Sequence, residues 1–147
     1  MEIATTSRVV ARNGIGQFIR ECELAAEKTI EEVVKDGENL SKGFAPVGHK
    51  ADPRTPTLRE GMFSEVLSRT SGRWGCAARH ALPIEKGAGP HAIPGNVRFF
   101  WDAMGRWWVP GTNEINHPGN AAQPYLRPAY EIMMGRIVSI AAGKYPG

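Results

Sequence analysis

Two prolines four residues apart constrain this chain more than any other feature. They are Pro124 and Pro128 in the run Gln123-Pro124-Tyr125-Leu126-Arg127-Pro128-Ala129. Each fixes its own φ at about −65° and keeps the preceding residue out of the helical region, so the run predicts an extended approach and a sharp helix start. Upstream, residues 110–123 carry Pro110, Gly111, Asn113, Asn116, Pro118, Gly119 and Asn120 without any period, which predicts an irregular connection. Downstream, Ala129, Ile132, Met133, Ile137, Ile140 and Ala141 fall at helical spacing over 128–142, and Met134 and Val138 widen the stripe. A helix this apolar buries more than one side. One small sheet covers one face, so the pattern implies that part of the second face meets another subunit.

A second helix is predicted over 15–40. Ile15, Phe18, Ile19, Cys22, Ala25, Ala26, Ile30, Val33 and Val34 take one side, and Glu23, Glu27, Lys28, Glu31, Glu32, Lys35 and Asp36 the other. Asn13 is the expected N-cap, and Gly37, with Gly43 and Pro46 beyond it, the expected stop. Residues 41–57 have no period and read as a long loop, while 58–67 read as a strand or a short turn feeding one. Ser71-Gly72 then suggests a tight turn, with a partner strand over 73–78. Pro83 places 80–87 on a sheet edge or just beyond it, and 87–95 reads as another Gly/Pro loop. High β-propensity at 97–101 and 106–109, around a turn at 102–105, predicts a second hairpin.

The chain has 17 Gly and 11 Pro, about a fifth of its residues against ~12% in average usage. They lie between the periodic segments. The expected fold is therefore a single α+β domain over 1–147: a small antiparallel β-sheet with hairpins, packed against a long N-terminal and a C-terminal α-helix. Long Gly/Pro-rich arms are expected near 41–57, 87–96 and 110–124.

The charge balance of 18 Lys and Arg against 15 Asp and Glu is mildly basic. The arginines are spread along the chain instead of forming the stripe of a dedicated nucleic-acid reader. Two cysteines without CxxC or Cys/His spacing give no zinc signature and no expected disulfide. The first residues lack the apolar run of a signal peptide and no stretch approaches the ~18 apolar residues of a membrane span, so a cytosolic origin is expected.

His49, His80, His91 and His117 lie in or beside loops, without the i, i+4 spacing of a helical metal site. Glu85 could be drawn with His80 or His91 as a general acid/base pair. GxSxG, Walker and HExxH motifs are all missing. No catalytic, cofactor-binding or metal residue is assigned. The densest feature is aromatic. Strand alternation sends Phe100 to the face opposite Phe99 and Trp101, and Trp108 opposite Trp107, so both hairpin faces would carry large rings and one would be free for a partner.

Read in order, the N-terminal helix, Pro46-Val47, Thr57-Leu58-Arg59-Glu60-Gly61-Met62, His80-Ala81, Ile84-Glu85-Lys86-Gly87 and the run 123–129 form a recognisable succession. It resembles the head-to-tail joining, or tail-completion, family of long-tailed bacteriophages, and the run 123–129 is its most specific part. The family's Pro-Val-Asp-Thr-Gly-x-Leu-Arg pattern is here split by an inserted Gly/Pro-rich arm. Its Glu-Phe-Gly-Thr turn corresponds to Glu85-Lys86-Gly87-Ala88. The resemblance implies a non-enzymatic virion structural protein at the head-tail junction, or neck, of a siphophage. Copies would close into a ring of six or twelve, assembled in the host cytoplasm. The ring would join the head connector to the tail and meet other neck proteins and tail tube or terminator proteins, with weak contact to DNA in the lumen and none to a membrane. Trp101, Trp107 and Trp108 would anchor assembly contacts, and Tyr125, Leu126, Arg127 and Pro128 would set the helix start at the interface. The alternatives are a tail terminator or other minor tail protein, a small metal-dependent hydrolase or nuclease using Glu85 and the histidines, and a DNA-contacting neck or chromatin factor.

Overall fold

A computed structural model describes residues 2–47, 56–94 and 114–147. In chain order the elements are α1 (Glu2–Phe44), β1 (Met62–Ser68), β2 (Ser71–Cys76), α2 (Ala81–Lys86), β3 (His91–Pro94), β4 (Glu114–His117) and α3 (Leu126–Ala142). The fold is α+β, with two antiparallel two-stranded sheets, β1-β2 and β3-β4. Its residues divide into two compact units.

The first unit holds Met1–Asn39, Ser64–Gly75 and Tyr130–Gly147. Helix α1 is longer than its predicted span at both ends. It begins well before Asn13, and Gly37 does not stop it. A Cβ at Gly37 would come within 2.6 Å of the Trp74 indole, so the glycine lets that ring lie against the helix, at the usual ~1 kcal/mol helix penalty relative to Ala. The chain leaves α1 just ahead of Pro46, where proline disfavours a helical predecessor. Ala25, Thr29, Val33 and Val34 form the buried row of α1, and the Thr29 hydroxyl donates to the Ala25 carbonyl at 2.7 Å.

The β1-β2 hairpin packs on this row through Gly72. A Cβ at that position would fall 2.6 Å from Val34 Cγ1 and 2.8 Å from Ile30 Cγ2. Gly72 thus belongs to the strand and not to the turn expected there; Arg69 and Thr70 make the turn, braced by the Ser68 and Ser71 hydroxyls 2.7 Å apart. Arg69 pairs with Glu23 at 2.7 Å, Arg73 with Glu65 at 2.7 Å, and the Ser64 hydroxyl donates to Glu38 at 2.5 Å. From α3, Met133 is fully buried, the Tyr130 ring lies 6.2 Å from Trp74, and Lys144, just past the helix, pairs with Glu32 at 2.5 Å.

The second unit holds Leu40–Phe63 and Cys76–Ala129. Its core is Ala45, Leu58, Met62, Ala78, Ala81 and Tyr125, with Cys76, Ile84 and Leu126 packed around it. A turn over 57–61 feeds β1, closed by a reciprocal capping box: Thr57 N–H donates to Glu60 at 2.7 Å and Glu60 N–H to the Thr57 hydroxyl at 3.2 Å. Residues 81–86 form helix α2, where the expectation was a sheet edge or the chain just beyond one. Pro83 is compatible because it sits in the first turn, where its missing N–H has no intrahelical partner to lose.

Strands β3 and β4 pair His91 with His117, Ala92 with Asn116, Ile93 with Ile115 and Pro94 with Glu114. Ala88 and Asn120 extend the ladder by exchanging N–H···O bonds of 3.0 and 2.9 Å. Both strands therefore lie in segments whose Gly/Pro content predicted loops. Gly119, between β4 and the Ala88–Asn120 bridge, has φ 82°, and a side chain there would collide with the Ala88 carbonyl. The hairpin predicted for 97–109 lies outside the described residues.

Candidate functional site

The start of α3 is held by a carboxylate from α2. Glu85 Oε2 accepts the N–H groups of Tyr125 at 2.8 Å and Leu126 at 2.9 Å, and Oε1 accepts that of Arg127 at 3.0 Å. These donors have no partner within the helix, and a negative charge at this end also opposes the helix dipole. Burial pushes the Glu85 pKa up, but the three N–H bonds and the Arg127 guanidinium outweigh it and hold the carboxyl below the usual glutamate value. Further bonds join in: Gln123 N–H donates to the Ile84 carbonyl at 2.8 Å, and the Asn120 side-chain amide donates to the Pro83 carbonyl at 2.8 Å and that of Ala121 at 3.2 Å. Helix α2 and the approach to α3 form one hydrogen-bonded block.

Within the run 123–129 the side chains divide sharply. Tyr125 and Ala129 are fully buried, Leu126 and Pro128 are half-buried, and Arg127 is exposed. The Tyr125 hydroxyl donates to the Ala81 carbonyl at 3.4 Å. Burial first, then the Cys76 thiol and the Glu85 carboxylate, push its phenol pKa well above the usual value. Tyr125 was expected at an assembly interface. It is instead a core anchor whose ring has no surface left for a partner, while Leu126, Arg127 and Pro128 retain some. Comparison of the chain with protein families, with curated proteins and with solved structures found no match. Trp101, Trp107 and Trp108, with the other hairpin aromatics and His49, lie outside the described residues.

Glu85 is committed to three backbone donors, and His80 precedes α2 without a side-chain capping bond. His91 and His117 face each other across the β3-β4 sheet with ring centroids 5.0 Å apart. His117 Nδ1 accepts the Gly119 N–H at 3.0 Å, and His91 Nδ1 lies 2.8 Å from the Gly89 carbonyl. Burial, and then the neighbouring His91, hold the His117 pKa below its ordinary value. Among the described residues, no group of three or more His, Cys, Asp and Glu side chains could hold a metal ion, and no helix is long and apolar enough to cross a membrane.

Several large apolar side chains of the first unit are exposed. On α1, Ile15, Phe18 and Ile19 are 61, 54 and 52 % exposed. On α3, Tyr130, Met134 and Val138 are 54, 38 and 76 % exposed. The sequence flagged Met134 and Val138 as surplus to one buried face. It also placed Ile15, Phe18 and Ile19 on the same stripe as Val33 and Val34, but periodicity alone does not say how far along the helix a partner reaches.

Proposed function

We propose that this chain is a virion structural protein of the head-tail junction of a long-tailed phage, acting by self-association into a ring and by docking on neck and tail proteins. Two lines support the reading. The run 123–129, the part of the sequence most like the tail-completion family, is built as a rigid helix start, with Tyr125 locked in the core and the first turn capped by Glu85. The observation that carries the assembly reading is that both long helices leave rows of large apolar side chains in water. Soluble monomers usually keep such patches small, and a ring requires each subunit to present two unlike, complementary surfaces. The decisive experiment is mass measurement of the purified chain, alone and mixed with phage tail tubes. A closed oligomer that adds to tail ends is expected; a monomer that ignores tails would sink the reading.

A further inference from the structure

We infer that the His91–His117 pair is a proton-operated joint between the β3-β4 sheet and the Ala88–Asn120 bridge: a proton on His91 leaves the bonds of the joint in place, whereas a proton on His117 breaks one and lets the sheet open while the bridge stays closed.

The two pairings lie three residues apart along each segment, 88 to 91 and 117 to 120, so Gly89 and Pro90 run beside Pro118 and Gly119 between them. This interval is poor in ladder bonds. Pro90 and Pro118 have no N–H to donate across it, and the Gly119 N–H goes to His117 Nδ1 at 3.0 Å. Gly119 also brings its backbone close against the other segment, since a Cβ there would meet the Gly89 carbonyl oxygen at 2.9 Å. At the sheet end of the interval the two histidine rings meet across the strands, with centroids 5.0 Å apart.

The rings answer a proton differently. His91 Nδ1 lies 2.8 Å from the Gly89 carbonyl, which can only accept, so that nitrogen already carries hydrogen and a further proton goes to Nε2 without disturbing the bond. His117 Nδ1 receives an N–H and therefore holds the lone pair, so a proton there sets two donors against each other. Burial and the neighbouring His91 both oppose that proton in the folded chain. The other titratable groups on the adjoining elements are Glu114 at the far end of β4, Glu85 and Lys86 on α2, and His80 ahead of it; Glu85 is committed to the start of α3. The bridge side has its own support, because the Asn120 side-chain amide donates to the Pro83 carbonyl at 2.8 Å and Gln123 N–H to the Ile84 carbonyl at 2.8 Å. None of these bonding groups titrates, so opening is confined to the sheet.

The test follows the full chain by NMR from neutral pH downward, reading both histidine rings and amide-exchange protection corrected for the intrinsic rate. As the His117 ring takes up its proton, protection in β3 and β4 should fall by up to about tenfold per pH unit, the slope of one proton, while the Ala88 and Asn120 amides keep theirs. His91→Asn, whose Nδ2 can stand where the ring Nδ1 stood, should move the His117 titration and the opening together to higher pH, because the neighbouring charge is gone. Should His91→Asn open the sheet already at neutral pH, His91→Gln replaces it. His117→Asn, with Oδ1 in place of the accepting nitrogen, should keep the sheet closed throughout. Strands that stay protected around a protonated His117, opening that follows the His91 ring instead, or loss that spreads to Ala88 and Asn120 overturns the joint. So does a His117 titration that the change at His91 leaves unmoved.

Discussion

Glu85 caps a helix from 40 residues away, so its carboxylate joins two segments that the sequence alone does not connect. Replacing it by glutamine leaves one neutral acceptor for three donors. We expect Glu85→Gln to cost about 1–2 kcal/mol, in the range of lost N-caps strengthened by charge, read as a lower denaturant midpoint at neutral pH. The pH dependence has a defined sign. Because the folded-state pKa lies below the ordinary 4.5, the carboxylate's contribution is whole above that value and is lost as pH falls through the lower, folded one. The gap between parent and variant should therefore close in acid; a gap that persists at pH 2 would assign the loss to packing instead. Glycines in α1 supply a second pair of expectations. At Gly14 an added Cβ meets nothing within 4 Å, whereas at Gly37 it meets Trp74 at 2.6 Å. The same exchange for alanine should stabilise at Gly14 by up to about 1 kcal/mol and destabilise at Gly37 by about 1–3 kcal/mol, as thermal denaturation would show.

The β3-β4 pair shows how an element can depend on a titrating side chain. Neutral His117 accepts the Gly119 N–H just beyond the end of β4. Protonation removes that acceptor and sets a charge 5.0 Å from the His91 ring. With the His117 pKa held below 6.5, its contribution is whole above 6.5 and is lost as pH falls through the folded-state value. Amide-exchange protection at 91–94 and 114–117 should fall as His117 takes up its proton, and His117→Gln should remove that acid dependence; protection unchanged once an NMR titration shows the His117 ring protonated would separate the strands from this histidine. These strands also show where sequence reading stops. The helices α1 and α3 were legible because a 3.6-residue period survives any surroundings, and so was β1-β2 from its alternation. Strands of four residues among glycines and prolines leave no such period, and the ladder that fixes them comes from residues twenty or more positions apart. Helix α2 is not legible because a single proline suits a helix's first turn as well as a sheet edge or the chain just beyond one. Gly37 and Gly72 look like punctuation, since a glycine needed for close packing is identical, in sequence, to one needed for a stop or a turn. The candidate site was half legible: the run 123–129 announced a helix start, but neither its Glu85 partner nor the burial of Tyr125 follows from local pattern.

The described residues combine small buried cores with several large apolar side chains left exposed. Tyr125, Met133 and Ser41 are sealed inside, yet Phe18, Ile19 and Val138 remain in water on helices rigid enough to present them as continuous rows. Leaving such groups exposed forgoes roughly 1.5–3 kcal/mol for each large side chain that a partner could bury, a gain available only on assembly. Stability should then depend on concentration. If copies associate through the native state alone, each tenfold rise in chain concentration adds up to ~1.4 kcal/mol per contact, which for a chain of this size shifts the melting temperature by about 3–5 °C. Scanning calorimetry across two decades of concentration should show that rise for the parent chain and a flat line for Phe18→Arg. The variant should melt where the dilute parent melts, because Phe18 contributes little to the isolated subunit's own packing. A parent whose melting point ignores concentration while it sediments as a monomer would mean that these rows face water throughout the protein's working life.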